Sequence, residues 1–125
     1  MGQVLTASAG QNPARQSAIK AGLAVEKTAH VINQVCGSGL RSIAAGYQAI
    51  ISNDSKIIIA GGQESMTNAP HAIYFRNKKK LNEENLIDTM IKDGLWDAFN
   101  GYHMGVTAEN VANKWEISRK DQDDF

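Results

Sequence analysis

Apolar and polar positions along the chain change period several times, and each change marks an element. "MGQVL" is a short apolar run with the character of the end of a strand. "TASAGQNPARQ" has loop chemistry, and Asn12 followed by Pro13 is a helix start: the amide side chain caps and proline fits the first turn. The spacing predicts a helix through "PARQSAIKAG", stopping near Gly22. "AHVINQV" then reads as a strand over residues 31–35. From Cys36 onward the period becomes helical, with Leu40, Ile43, Ala44, Tyr47, Ile50 and Ile51 at three- and four-residue steps. "SNDS" ends that helix, and "KIIIAGG" predicts a buried-type strand over residues 56–60 closed by glycines. Strand, helix, strand is a βαβ unit, so residues 31–35 and 56–60 are expected to be parallel neighbours.

After Gly62 the pattern weakens. A polar stretch carries a basic cluster (Arg76, Lys78, Lys79, Lys80) and then Glu83 and Glu84. "LIDTMIKDG" predicts a short helix ended by Gly94, and "TAENVANKW" another, with Val106, Val111 and Trp115 as apolar contacts. Ser118 with Asp121 three residues on has the form of a capping box opening a last helix. A sheet of about two or three strands with one face uncovered is a poor independent core. Both ends of the chain look cut, which leads us to expect part of a larger fold.

Composition narrows the function classes. At 125 residues the length suits one small domain, and hydrophobic residues make up 42% of it, enough for a globular core. Thirteen basic and 13 acidic residues give zero formal charge, which argues against a nucleic-acid or anionic-membrane binder. No apolar run has the length of a signal peptide or a membrane span. One cysteine cannot form an internal disulfide, so the expected location is cytoplasmic and the thiol is either buried or reactive.

That thiol, Cys36, sits where strand pattern gives way to helix, in "VCGSGL". Unpaired N–H groups at a helix start favour an anionic sulfur and can hold the oxyanion of an acyl intermediate. Gly37 and Gly39 let backbone and substrate approach closely. An acyl-accepting nucleophile fits this place. The competing reading is a buried structural cysteine, since free cysteine is among the most buried residue types.

Five blocks occur in order: "AGQNPARQ", "NQVCGSGLRS", "AGGQESMTNAP", "DGLWDAFNGYHMG" and "TAENVANKW". Together they resemble the thiolase family, most closely its biosynthetic branch, over essentially the whole chain. The resemblance implies an α/β, partial thiolase-type fold. Residues 1–62 would be part of the N-terminal α/β domain, and residues 63–125 the start of the mostly helical loop domain. Cys36 would take an acyl group from acyl-CoA as a thioester, with its backbone N–H as one oxyanion donor. Leu95, His103 and Met104 would line the pantetheine and acyl-binding pocket. Asn33, Gln34 and the "AGQNPAR" loop would lie near a dimer interface and the active site, and the region after Met66 with "FRNKKK" would help hold a tetramer. CoA thioesters would be the substrates, with no metal and no other cofactor, and the reaction would condense two acetyl-CoA to acetoacetyl-CoA or run in reverse.

Plainer readings stand beside these. His103 by itself is an ordinary surface or core histidine, the lysine run a solvated loop, and Glu64 a structural hydrogen-bond acceptor. His30 and His71 have no assignable role. Gln63 stands where many thiolases have methionine. The family's activating histidine in Gly-His-Pro, its second cysteine in Cys-x-Gly and its Asn-Glu-Ala asparagine match nothing in this chain. Acid–base partners are not optional for Claisen chemistry, so the chain by itself is expected to be inactive in turnover. Three alternatives follow: a ketoacyl-synthase-like condensing enzyme, a non-catalytic remnant or interaction fragment, and a redox-sensing thiol, the last disfavoured by the lack of a resolving cysteine.

Overall fold

The computed structural model describes residues 1–77 and 86–125. Lys78, Lys79, Lys80, Glu83 and Glu84 of the charged stretch lie outside the described residues.

Helix α1 (Pro13–Lys20) starts as its sequence dictates, with the Asn12 side chain accepting from the Arg15 N–H at 3.1 Å and proline in the first turn. Gly22, at φ +86°, turns the chain away. The Asn12 amide also donates to the Ala29 carbonyl (2.8 Å), so one side chain caps the helix and ties down the loop that follows it.

Helix α2 (Ser38–Ile51) is the longest element. Its apolar stripe faces outward: Leu40 is 74% exposed and Tyr47 66%. The buried face is instead the row of small residues Ser38, Ser42 and Gly46. Small side chains let two backbones meet, and a Cβ on Gly39 would sit 3.8 Å from the Gly62 Cα. The Ser42 hydroxyl accepts from the Gly61 N–H (3.0 Å) and lies 2.7 Å from the Gly61 carbonyl oxygen, which fastens the helix to residues 61–62.

The expected strand over 31–35 shortens to a single long-range bridge, at Ile32. The one expected over 56–60 carries no bridge, and the segment after it bridges only at Gly62, so the two are not neighbours. Gly2 lies between them, bridged in parallel to Ile32 on one side and to Gly62 on the other. Four backbone bonds make this ladder: Gly2 N–H to Gly61, Gln63 N–H to Gly2, Ile32 N–H to Met1 and Gln3 N–H to Ile32. A strand–helix–strand pattern specifies direction but not adjacency, and a third segment has slipped into the gap. Residues 56–60 are also not a buried strand, since Ile57 is 87% and Ile59 70% exposed. Ile58, 37% exposed, and the half-buried Ala60 are the residues of this segment that meet α2, at Gly46.

The second half departs further from expectation. "LIDTMIKDG" splits into a strand and a helical turn. β1 (His71–Ala72) pairs antiparallel with β2 (Ile87–Asp88), His71 opposite Asp88. A π-helical segment then spans Met90–Leu95, running past Gly94. Its start is held by the Asp88 carboxylate, which accepts from the Met90 N–H at 2.9 Å. Helix α3 (Met104–Lys114) begins earlier than the apolar pattern indicates, because His103 caps it. Val106, Val111 and Trp115 are exposed rather than packed. Helix α4 (Arg119–Asp124) opens on the Ser118–Asp121 capping box.

Ala14 is the one buried apolar residue among the described residues. The accessible surface is 10081 Å², against roughly 6,600 Å² for a compact monomer of this mass. The described residues do not close a core of their own.

Candidate functional site

Cys36 is exposed, which removes the reading of a buried structural thiol. It stands two residues ahead of α2 rather than in its first turn, with Gly37 as the N-cap. The preceding residue explains this. Val35 has φ +48°, in the left-handed region, where a β-branched side chain is a genuine outlier. Such a residue costs about 1–3 kcal/mol and persists where its surroundings over-determine it.

Here they do. The Asn33 carboxamide oxygen accepts from the Val35 N–H at 2.9 Å. The Ser38 hydroxyl donates to the Val35 carbonyl at 2.5 Å and accepts from the Gln34 N–H at 2.8 Å. The Ser38 N–H also reaches the Val35 carbonyl (3.1 Å), and the Gly37 N–H reaches that of Gln34 (3.0 Å). The turn that carries the thiol is therefore a tight elbow clasped by two side chains.

A cavity of about 270 Å³ opens over this elbow. Its walls are the 2–5 segment, the elbow with Val35 and Cys36, then Glu64 and Met66, and the π-helical segment with Met90 and Leu95. The lining is mostly apolar, which suits a flexible acyl or pantetheine-like chain. Both Glu64 oxygens are already engaged, accepting from the Val4 N–H (2.9 Å) and the Leu5 N–H (3.0 Å). Glu64 is thus the structural acceptor that the plainer reading expected, and it pins one cavity wall.

Of the four residues singled out from sequence, Cys36 and Leu95 meet in this cavity, whereas His103 and Met104 do not line it. Leu95 is followed by a tight loop in which Trp96 and His103 bridge antiparallel. Asp97 organises that loop, accepting from the Phe99 and Asn100 N–H groups and from the Asn100 amide. The Asn100 amide and those two backbone N–H groups hold the Asp97 carboxyl below its ordinary value. His103 Nδ1 accepts from the Gly105 N–H at 3.0 Å, so in the neutral ring Nε2 carries the proton. Met104 follows as the half-buried first residue of α3.

Val35, Met66 and Met90 were missed from sequence. The two methionines carried a weak signal, since flexible thioethers fill irregular apolar cavities. Val35 carried none, because nothing in its residue type foretells a positive φ. Among the described residues, no group of three or more His, Cys, Asp or Glu could hold a metal ion, and no helix is long and apolar enough to cross a membrane.

Comparison with known proteins decides the family. The family model described as thiolase, N-terminal domain, matches residues 1–125. This chain belongs to the thiolase family. The match sets aside the ketoacyl-synthase alternative. An acetyl-CoA acetyltransferase of Paracoccus denitrificans is 63% identical over 125 residues, covering all of this chain and 32% of the relative. One of Rhizobium meliloti is 61% identical over the same span. Among solved structures, a thiolase from Ascaris suum in complex with coenzyme A superposes with a TM-score of 0.84 at 34% identity, covering 95% of this chain and 31% of that one. The α/β fold is therefore a part of the thiolase fold, and the chain spans about a third of the length of the curated relatives it matches.

Proposed function

We propose that Cys36 is the acyl-accepting nucleophile of a thiolase-type acyltransferase, and that this chain accepts an acyl group but does not complete the condensation. The observation that carries the reading is the exposed Cys36 on a clasped elbow, open to an apolar cavity. The acetyl-CoA acetyltransferase names of its relatives supply the substrate class.

In the proposed step, Cys36 Sγ attacks the thioester carbonyl of acetyl-CoA. The new S–C bond forms as the carbonyl electrons move onto oxygen. That oxyanion is held by the Cys36 N–H, and its collapse breaks the bond to CoA. The proton lost by the cysteine ends on the departing CoA thiol, so the products are S-acetyl-Cys36 and free CoA. The family's histidine activates the thiol for this first step, and condensation with a second acetyl-CoA then needs a group that moves the α-carbon proton. The sequence has one cysteine and no Gly-His-Pro, so neither of the family's groups is in this chain.

Leu95 is proposed to contact the acyl or pantetheine chain from the cavity wall. His103 and Met104 enter the proposal through the family resemblance. With Nδ1 engaged by the Gly105 N–H, His103 has its Nε2–H to offer a substrate carbonyl or amide.

Incubation with acetyl-CoA, followed by intact mass and peptide mapping, tests the reading. One acetyl group on Cys36 that is absent from Cys36→Ser is expected, without accumulation of acetoacetyl-CoA. Labelling that persists in Cys36→Ser overturns the nucleophile, and turnover comparable to a full-length thiolase overturns the incomplete site.

A further inference from the structure

We infer that the Ser38 hydroxyl is a positioning residue that aims the Cys36 N–H at the developing oxyanion. The inference rests on the reading of Cys36 as an acyl acceptor and adds to it the group that sets the donor's direction.

The peptide linking Val35 to Cys36 is planar and trans, so its C=O and N–H point in opposite directions. Fixing the carbonyl therefore fixes the N–H. Ser38 fixes it twice, through its hydroxyl at 2.5 Å and its own N–H at 3.1 Å. The hydroxyl has no freedom to turn elsewhere: Ser38 is 4% exposed, and its oxygen is occupied by the Gln34 N–H at 2.8 Å. Among the described residues the Cys36 N–H itself finds no acceptor, whereas the N–H groups on either side of it, of Val35 and Gly37, are both bonded. Among the backbone donors from Gln34 to Ser38 the one left open belongs to the nucleophile, and the peptide that carries it is clamped from its far side.

This arrangement also answers why an elbow with a left-handed valine is kept. Relaxing Val35 from φ +48° would rotate the Val35–Cys36 peptide and swing the Cys36 N–H away from its direction. The serine holds the peptide against that relaxation. Preorganised donors act on charge that develops in the transition state, so a small misdirection of the N–H is felt in acyl transfer. It is not felt in a reaction that develops no oxyanion.

That difference supplies the experiment, done on this chain with its single thiol. Two probes modify Cys36: p-nitrophenyl acetate, whose acyl transfer passes through a tetrahedral oxyanion, and iodoacetamide, whose displacement does not. Rates are read as modification of the Cys36 peptide, with Cys36→Ser as the blank. In Ser38→Ala the acylation rate is expected to fall at least about tenfold relative to the alkylation rate. Ser38→Thr, which restores a hydroxyl, is expected to recover most of that ratio. A parallel change in both rates, or none, overturns the inference, since a merely structural serine alters access to the thiol for both probes alike. Should Ser38→Ala fail to fold, the comparison moves to Val35→Gly against Val35→Gly/Ser38→Ala, where glycine takes the left-handed conformation without strain. A relative fall is expected there too, because glycine leaves the peptide free to rotate wherever the hydroxyl does not hold it, and its absence overturns the inference. Neither probe requires CoA binding. Absence of acetyl-CoA labelling with the ratio intact would count against the substrate alone, and a flat ratio with labelling intact against Ser38 alone.

Discussion

A methyl group built on the Cα of Gly2 would lie 2.4 Å from the carbonyl carbon of Ser38. The obstacle is backbone at the start of α2, so no rotamer change relieves it. Gly2 is thus where the 1–3 segment comes close enough to bridge both Ile32 and Gly62. Gly2→Ala is expected to displace either this segment or the start of α2. It should destabilise the chain by about 1–3 kcal/mol, as overpacking does. A lower urea midpoint by circular dichroism is the expected result, and an unchanged midpoint would show that the segment does not dock as described.

Glu64 holds the same segment from the other side, through the Val4 and Leu5 N–H groups. Glutamine keeps one acceptor oxygen and alanine keeps none. Amide hydrogen exchange at Val4 and Leu5 should therefore rise in the order wild type, Glu64→Gln, Glu64→Ala. Each lost bond corresponds to about 1 kcal/mol, or severalfold in exchange rate. Equal protection in all three would mean that the carboxylate does not hold this wall of the cavity.

Where a rule of local chemistry acts alone, the sequence was readable. Asn12–Pro13 placed α1, and Ser118 with Asp121 placed α4, because a cap is decided within four residues. Strand adjacency was not readable, because Gly2 enters between residues 32 and 62 from a distant part of the chain, and no local pattern records that. The β1–β2 pairing was hidden for a second reason. Two residues per strand are too few to set up a period, and "LIDTMIKDG" has helical spacing that the pairing of Ile87 and Asp88 overrides. At the site, glycines beside Cys36 marked it, while the elbow's clasp stayed hidden. A serine near a helix start reads as an ordinary helix-terminal residue, and only the structure shows it holding the Val35 carbonyl.

The apolar stripe of α2 faces away from the residues that pack on this helix, which meet its small-residue face instead. Leu40, Ile43, Tyr47 and Ile51 are between 53% and 74% exposed. Contiguous apolar surface of this kind binds hydrophobic dyes and self-associates. The isolated chain is expected to enhance the fluorescence of anilinonaphthalene sulfonate and to elute at a size that grows with concentration. Ile43→Glu combined with Tyr47→Lys should reduce both effects. A monomeric elution at all concentrations, with no dye enhancement, would place this face under cover from within the chain.

Acid provides a separate test, at Asp97 and Asp121. Hydrogen bonds from the Asn100 side chain and from the Asn100 and Phe99 N–H groups lower the Asp97 carboxyl below the ordinary 3.8, and bonds from the Ser118 hydroxyl and N–H lower Asp121 in the same way. A carboxyl whose folded value is depressed binds its proton more readily in the unfolded chain. Its contribution is fully present above the unfolded value and is lost as pH falls through the folded one. The loop after Leu95 and the start of α4 should therefore hold at neutral pH and loosen only below 3.8. Amide resonances of Phe99, Asn100 and Ser118 followed by nuclear magnetic resonance should titrate with midpoints under that value. Asp97→Asn should abolish the transition at Phe99 and Asn100 while leaving the one at Ser118. A midpoint at or above 3.8 would mean that the carboxylates are not held by these donors, and His103, which follows this loop, would then lose the support that places it at the start of α3.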